Sequence, residues 1–249
     1  MTAPTNWGGC FVTGTDTGVG KTRVSAGLLH WLAENGQTAA GFKPVAAGAT
    51  LIGGVRVNED VRLLREAGSL GLSDAEVGPF QFDAACAPQV AAALENRVID
   101  RSAILEAGRA LLARTDFLVV EGVGGWCVPL GPDWDTTHIA CGLGLPVILV
   151  VGLRLGCLNH ALLTAEAIKA RHLRLAGWVG NAIDPDMAYS THTLSTLHHE
   201  LGERQHVPCL GVVPWLDDLS PRAVAAHLDP GALRRALHLH STHATLDVT

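Results

Sequence analysis

Gly14-Thr15-Asp16-Thr17-Gly18-Val19-Gly20-Lys21-Thr22 stands between a short apolar run, Cys10 to Thr13, and a stretch with helical spacing, Lys21 to Glu34. In the second stretch Val24, Leu28, Leu29 and Leu32 fall on one face, and Gly36 supplies a stop. Strand, glycine-rich turn, helix is the context in which Gly20-Lys21-Thr22 reads as a phosphate loop. Glycines let successive backbone N–H groups turn inward and approach an anion closely. The helix start adds unsatisfied donors and a partial positive charge. Lys21 is placed to reach the outer phosphates of a nucleoside triphosphate, and the Thr22 hydroxyl to ligate Mg²⁺. The usual motif sets its first glycine six residues before the lysine, where this chain has Thr15; Gly14 comes one earlier, so the loop is one residue longer. A dinucleotide fold needs a third glycine three residues after the second, but Arg23 stands there, and Lys43 sits where it needs an acid.

Outward from the loop, short apolar runs alternate with helical stretches. Strands are predicted at Ala39 to Val45, Asp116 to Glu121, Pro146 to Val151, Leu175 to Gly180 and Cys209 to Val213. Helices are predicted at Asn58 to Ala67, Arg101 to Ala113, Leu158 to Arg171 and Thr191 to Gly202. Phe117-Leu118-Val119-Val120 is apolar without alternation, the pattern of a strand covered on both faces. This order implies right-handed βαβ units: an α/β fold with a mainly parallel sheet and helices on both faces. With no internal repeat and no Gly/Ser/Pro-rich linker, one domain is expected over residues 1–240, and 241–249 read as a loose tail.

Composition narrows the function classes. A net charge of -6 leaves no basic field for nucleic acid or an anionic membrane surface. Twelve aromatic residues are too few for base-stacking platforms. No apolar stretch reaches the roughly 20 residues that span a bilayer. Leu143 to Leu153 reads as a buried strand with its approach, and Met1 to Gly8 lacks the basic start and apolar run of a signal peptide. Six dispersed cysteines without C-x-x-C fit reduced thiols in a cytoplasmic protein. His238, His240 and His243 cluster without an acidic or cysteine partner and read as a solvated tail.

Three charged side chains surround the loop in the sequence logic. Glu121 ends an apolar strand and is followed by Gly122-Val123-Gly124-Gly125, the place for an acid that holds the nucleotide's metal. Lys43, before Pro44 at a strand end, needs solvent or an anion for its charge. Asp60, in Asn58-Glu59-Asp60-Val61, reads by itself more readily as a helix-start acid than as a ligand.

These stretches together resemble the dethiobiotin synthetases. Gly14 to Thr22, Gly41-Phe42-Lys43-Pro44-Val45, Val120 to Trp126, Pro146 to Ala161, Gly177-Trp178-Val179-Gly180-Asn181 and Val213-Pro214-Trp215-Leu216 carry the likeness in order, over about residues 9 to 216. The long phosphate loop and Gly156-Cys157-Leu158-Asn159-His160 are its specific parts. The resemblance implies closure of a ureido ring on 7,8-diaminopelargonate with CO₂ and ATP, through a carbamate and a carbamic–phosphoric anhydride. It implies that Lys21, Lys43 and Thr17 act at the carbamate and γ-phosphate, and that Thr22, Asp60 and Glu121 hold Mg²⁺. Asp16, Thr17, Gly18, Val19, Gly20, Lys21 and Thr22 would wrap the nucleotide, with Asn181, Pro214 and Trp215 at its base. Lys43, Gly156, Cys157 and Asn159 would bind substrate, the last three from the second subunit of a homodimer, with Cys157 as a pocket wall and His160 structural. The chain departs from the family where Val45-Ala46-Ala47 replaces a hydroxyl-bearing segment, Ala87-Pro88-Gln89 a Ser-Pro-His, and Arg154 a frequent lysine.

Rival classes lack their marks. Partitioning and division-site ATPases carry a second lysine five residues before the motif lysine, where this chain has Asp16. The cobyrinate synthetases add a glutaminase domain for which 249 residues leave no room. A non-catalytic scaffold would lack the motif lysine or acid, and Lys21, Thr22 and Glu121 are all present.

Overall fold

The computed structural model describes residues 8–239. The expected tail, His240 and His243, and the first seven residues of the expected leaderless start lie outside the described residues. β1 (Gly9–Gly14) leads through the glycine-rich turn into α1 (Lys21–Glu34) and β2 (Ala39–Phe42). Short elements follow: β3 (Val45–Ala47), the hairpin of β4 (Thr50–Ile52) and β5 (Val55–Val57), α2 (Glu59–Ala67), α3 (Asp74–Val77), β6 (Phe80–Phe82) and α4 (Pro88–Leu94). α5 (Arg101–Leu112) and β7 (Phe117–Glu121) return the chain to the sheet. β8 (Pro129–Gly131) and β9 (Trp134–Asp135) make a small hairpin before α6 (Thr137–Leu143). The second half runs β10 (Val147–Leu153), α7 (Cys157–Ala170), β11 (Leu175–Ala182), α8 (Ser190–Leu197), β12 (Cys209–Val213), α9 (Pro221–Ala225) and α10 (Pro230–Leu237).

Six strands form one parallel sheet in the order β12-β11-β10-β1-β7-β2. The crossover from β1 to β2 runs one way along it, and those from β2, β7, β10 and β11 run the other. Right-handed crossovers therefore set their helices on opposite faces. α1 packs with α2 and α9, while α5 packs with α6, and α7 with α8. All residues of β1, β7 and β10 are buried, as strands covered on both faces must be. Phe11, Phe42, Phe117 and Trp178 are fully buried in this core. The turns after β1 and β10 leave in opposite directions, so the topological switch point lies between these neighbours, where such folds open a binding crevice.

Two expectations change. The strand predicted through Val45 stops at Phe42, because Pro44 offers no N–H to the ladder. The Lys43 N–H bonds the Val77 carbonyl, and β3 pairs with β6 in a separate two-stranded sheet. The helix predicted over Thr191 to Gly202 ends as α8 and widens into a π-helical turn, His198–Glu203. That turn lies against the buried Trp178 indole, which meets the His198 ring edge-on at 5.1 Å.

Candidate functional site

The phosphate loop takes its shape from two glycines that adopt positive φ, Gly18 at 74° and Gly20 at 86°. A Cβ on Gly20 would come within 2.1 Å of the Asn181 side-chain nitrogen, so this position has neither the space nor the dihedral for another residue. That nitrogen donates to the Val19 carbonyl at 2.9 Å and ties the loop to the end of β11. Val19 itself is buried: its side chain sits beneath the loop, and only its backbone can serve a ligand. The Lys21 ammonium reaches across the loop to the Asp16 carbonyl at 3.0 Å. Burial and the nearby Lys43 charge pull the Lys21 pKa down to about 8, against the opposing pull of Glu121.

Lys43 is carried into the site by the break after β2. Its ammonium donates to Asp60 Oδ2 at 2.7 Å and to Glu121 Oε1 at 2.5 Å. The Thr22 hydroxyl donates to the same Glu121 oxygen at 2.7 Å. Burial works against the Lys43 charge, but Glu121 and Asp60 outweigh it and hold its pKa above the usual lysine value. Asp60 titrates below the usual carboxylate range: burial opposes this, and Lys43 outweighs the burial. Asp60 does stand in the first turn of α2, as a helix-start acid would, but the cap is Asn58, whose side chain accepts the N–H groups that open the helix, and the Asp60 carboxylate turns to Lys43 instead. Glu121 has no solvent exposure, and its Oε2 has no hydrogen-bond partner among the described residues. An orphaned carboxylate oxygen beside a hydroxyl and a second carboxylate fits a hard, oxygen-seeking cation such as Mg²⁺. Among the described residues no group of three or more His, Cys, Asp or Glu could form a cage for a softer metal.

These residues line a cavity of about 790 Å³, within the range for a small-molecule site. Asp16, Thr17, Gly18, Gly20, Lys21, Thr22, Lys43, Asp60 and Glu121 form its polar side. Ala47, Ala85, Ala87, Pro88, Val123 and Val128 form an apolar side. Ala47 and Ala87 thus stand on the wall, whereas Gln89 is exposed elsewhere. A second cavity of about 260 Å³ shares Gly18, Gly20 and Arg23 with the first. Asn181, Pro214, Trp215, Leu216 and Leu219 line it, so the loop has a large polar cavity on one flank and a smaller, more apolar one on the other. Arg23, common to both cavities, was legible only as the residue that breaks a dinucleotide glycine pattern.

Gly156, Cys157 and Asn159 are not brought to this cavity. Gly156 caps α7 with φ 93°, Cys157 is buried, and Gly156 and Asn159 are exposed. The nearest link is one residue upstream of that turn, where the Arg154 guanidinium pairs with Asp16.

A family model described as AAA domain matches residues 9–223. The chain belongs to the AAA domain family. The matched span runs from β1 into α9 and takes in the whole lining of the larger cavity and all but Val224 of the smaller. Among solved structures, the cell-division ATPase MinD of Pyrococcus furiosus superposes with a TM-score of 0.51 at 18% identity, covering 88% of this chain and 90% of that one. The MinC:MinD cell-division complex of Aquifex aeolicus superposes with a TM-score of 0.50 at 14% identity, over 86% and 85%. At such identities the likeness concerns the fold, which is that of the P-loop nucleotide-binding proteins. Among the described residues no helix is long and apolar enough to cross a membrane.

Proposed function

We propose that this AAA-domain protein is an ATP- and Mg²⁺-dependent dethiobiotin synthetase, a single ligase domain over residues 1–240. The observation that carries the reading is the presence of Lys43 beside Lys21 on one cavity wall, next to Glu121, Asp60 and Thr22. One lysine suffices to hold a triphosphate. A second, delivered from another strand, suits an acceptor that is itself an anion, such as the carbamate of a diamine. Lys21 and Lys43 would neutralise charge as the carbamate oxygen takes the γ-phosphoryl group, with the Thr17 hydroxyl at the mouth. Phosphorylation makes the carbamate carbon a competent acyl donor, and the second amine closes the ring and expels phosphate. Thr22, Asp60 and Glu121 would hold Mg²⁺, which when bound screens and aligns the phosphate oxygens.

The free face of the Asn181 amide, with Pro214 and Trp215, would receive the adenine. Gly156, Cys157 and Asn159 serve the reading only if a second copy of the chain supplies them, so the enzyme is a homodimer whose α7 start holds the substrate carboxylate of its neighbour. The apolar wall around Ala47 and Ala87 would face the aliphatic part of the diamine without the hydroxyls usual in that family.

The test is to incubate the protein with ATP, Mg²⁺, bicarbonate and 7,8-diaminopelargonate and to seek dethiobiotin by mass. Formation that depends on all four supports the reading, and Lys21→Ala abolishes it. Phosphate release that ignores the diamine would move the protein to the switch ATPases, a class that Asp16 opposes at the position of its second lysine.

A further inference from the structure

Asp16 makes three bonds in three directions. Its Oδ1 accepts the Thr17 N–H at 2.7 Å. Its Oδ2 pairs with the Arg154 guanidinium. Its main-chain carbonyl accepts the Lys21 ammonium. Arg154 follows β10 directly, and its own carbonyl accepts the Cys157 N–H at 3.1 Å to shape the approach to α7. One ion pair therefore joins the two turns that flank the topological switch point. Upstream, the Thr15 N–H bonds the Val150 carbonyl at 3.0 Å, so β10 and the residue that follows it hold the loop at two successive residues, Thr15 and Asp16.

The energetics say what this pair is for. Both side chains are nearly half exposed, and such ion pairs contribute little to stability. Its worth lies in position. The loop carries one residue more than the simple motif, between Gly14 and Gly20, and Asp16 lies within that stretch. The Asp16 carboxylate accepts the next N–H with one oxygen and meets Arg154 with the other, so Arg154 fixes the carboxylate that orients this peptide.

We propose that Arg154 is a positioning residue for the phosphate loop and acts through Asp16, fixing the peptide whose carbonyl receives Lys21 and coupling the start of α7 to the nucleotide. The inference rests on the reading of the loop as a triphosphate site. Arg154 then touches no phosphate itself. A lysine preserves part of the link, and a neutral residue at either end breaks it.

The experiment is a titration-calorimetry cycle of ATP with Mg²⁺ on the full chain: unmodified, Arg154→Ala, Arg154→Lys, Asp16→Asn and the Arg154→Ala/Asp16→Asn pair. Asparagine keeps the acceptor for the Thr17 N–H and drops the charge that holds Arg154. Each neutral single variant should weaken ATP about fivefold, as expected along a coupled network. The double variant should be no weaker than the worse single, and Arg154→Lys should recover most of the loss, with thermal midpoints nearly unchanged throughout. Losses that multiply in the double variant would mean that Arg154 meets the nucleotide directly, and overturn the inference. Unmodified affinity in Arg154→Ala, or a fall in thermal midpoint that tracks the loss of affinity in every variant, would overturn it too. ATP that fails to bind the unmodified protein would sink the reading of the loop itself, a result distinguishable from the others.

Discussion

At the scale of single residues, the site is governed by a buried charge that has to be matched. Glu121 has no exposure, and Lys43 is its charged partner at 2.5 Å. Removing one member of a buried pair leaves the other uncompensated, which costs more than the pair contributes when intact. Lys43→Met should therefore lower stability by about 3 kcal/mol in urea denaturation, and a loss under about 1 kcal/mol would mean that Lys43 does not hold the carboxylate in place. Gly20 makes a different demand. Alanine there adopts a left-handed backbone at a cost of about 1–2 kcal/mol. Its Cβ also displaces the Asn181 amide from Val19. Gly20→Ala should fold with a reduced midpoint and lose measurable ATP binding by calorimetry. Retained affinity would separate the loop's shape from its ligand.

At the scale of elements, helix faces and caps set the terms. Gly27 lies on the buried side of α1, where a Cβ would stand 2.7 Å from Val224 Cγ1 and 3.2 Å from the Ala225 nitrogen of α9. Alanine improves helix propensity by about 1 kcal/mol, but overpacking costs about 1–3 kcal/mol and the near backbone of α9 cannot swing aside. Gly27→Ala should thus be net destabilising by thermal melt; a stabilised variant would mean that α9 shifts freely. α3 opens with a capping box between Ser73 and Glu76, and Glu76 also pairs with Arg114. The Ser73 N–H, then Arg114, pull the Glu76 pKa from 4.5 down to about 2. A depressed folded value means stability that is full above the unfolded pKa and is lost as pH falls through the folded one. Glu76→Gln should flatten the fall in thermal midpoint between pH 4.5 and 2, with no change at pH 7 in its slope. The long elements were legible because each carries its own period: α1 was read to its residue limits, and the core strands by their unbroken apolar runs. Between β3 and α4 only α2 was legible, as the helix expected over Asn58 to Ala67; the short pieces around it were not, because Arg56 bonds to Asp83 and Glu95 and tertiary contacts, not local pattern, hold them. In the site, Lys21 and Thr22 could be read from the helix start after the glycine-rich turn, and Lys43 and Glu121 from their places at strand ends. Asp60 could not, since an acid in the first turn of a helix looks the same whether or not it faces a lysine.

At the scale of the whole molecule, the two cavities lie on opposite sides of the phosphate loop and lean on different halves of the sheet. The larger draws on the ends of β2 and β7, and the smaller on β11 and β12. A nucleotide spanning both would clamp the two halves together across the switch point, and ligand that binds only the folded chain raises its stability by mass action. At a hundredfold excess over the dissociation constant that is about 2.7 kcal/mol. For a chain of this length it corresponds to a rise of about 5–10 °C in thermal midpoint. Lys21→Ala removes the charge on the phosphate side and should abolish the rise. Asn181→Ala removes the tether on the other side and should reduce the rise while raising the ATP requirement more than the diamine requirement. Adenosine alone, which under the proposed function would fill the smaller cavity and leave the larger one open, should give a small shift that Asn181→Ala cancels and Lys21→Ala spares. An equal response of both variants to adenosine and to ATP would mean that the two cavities do not act as halves of one site.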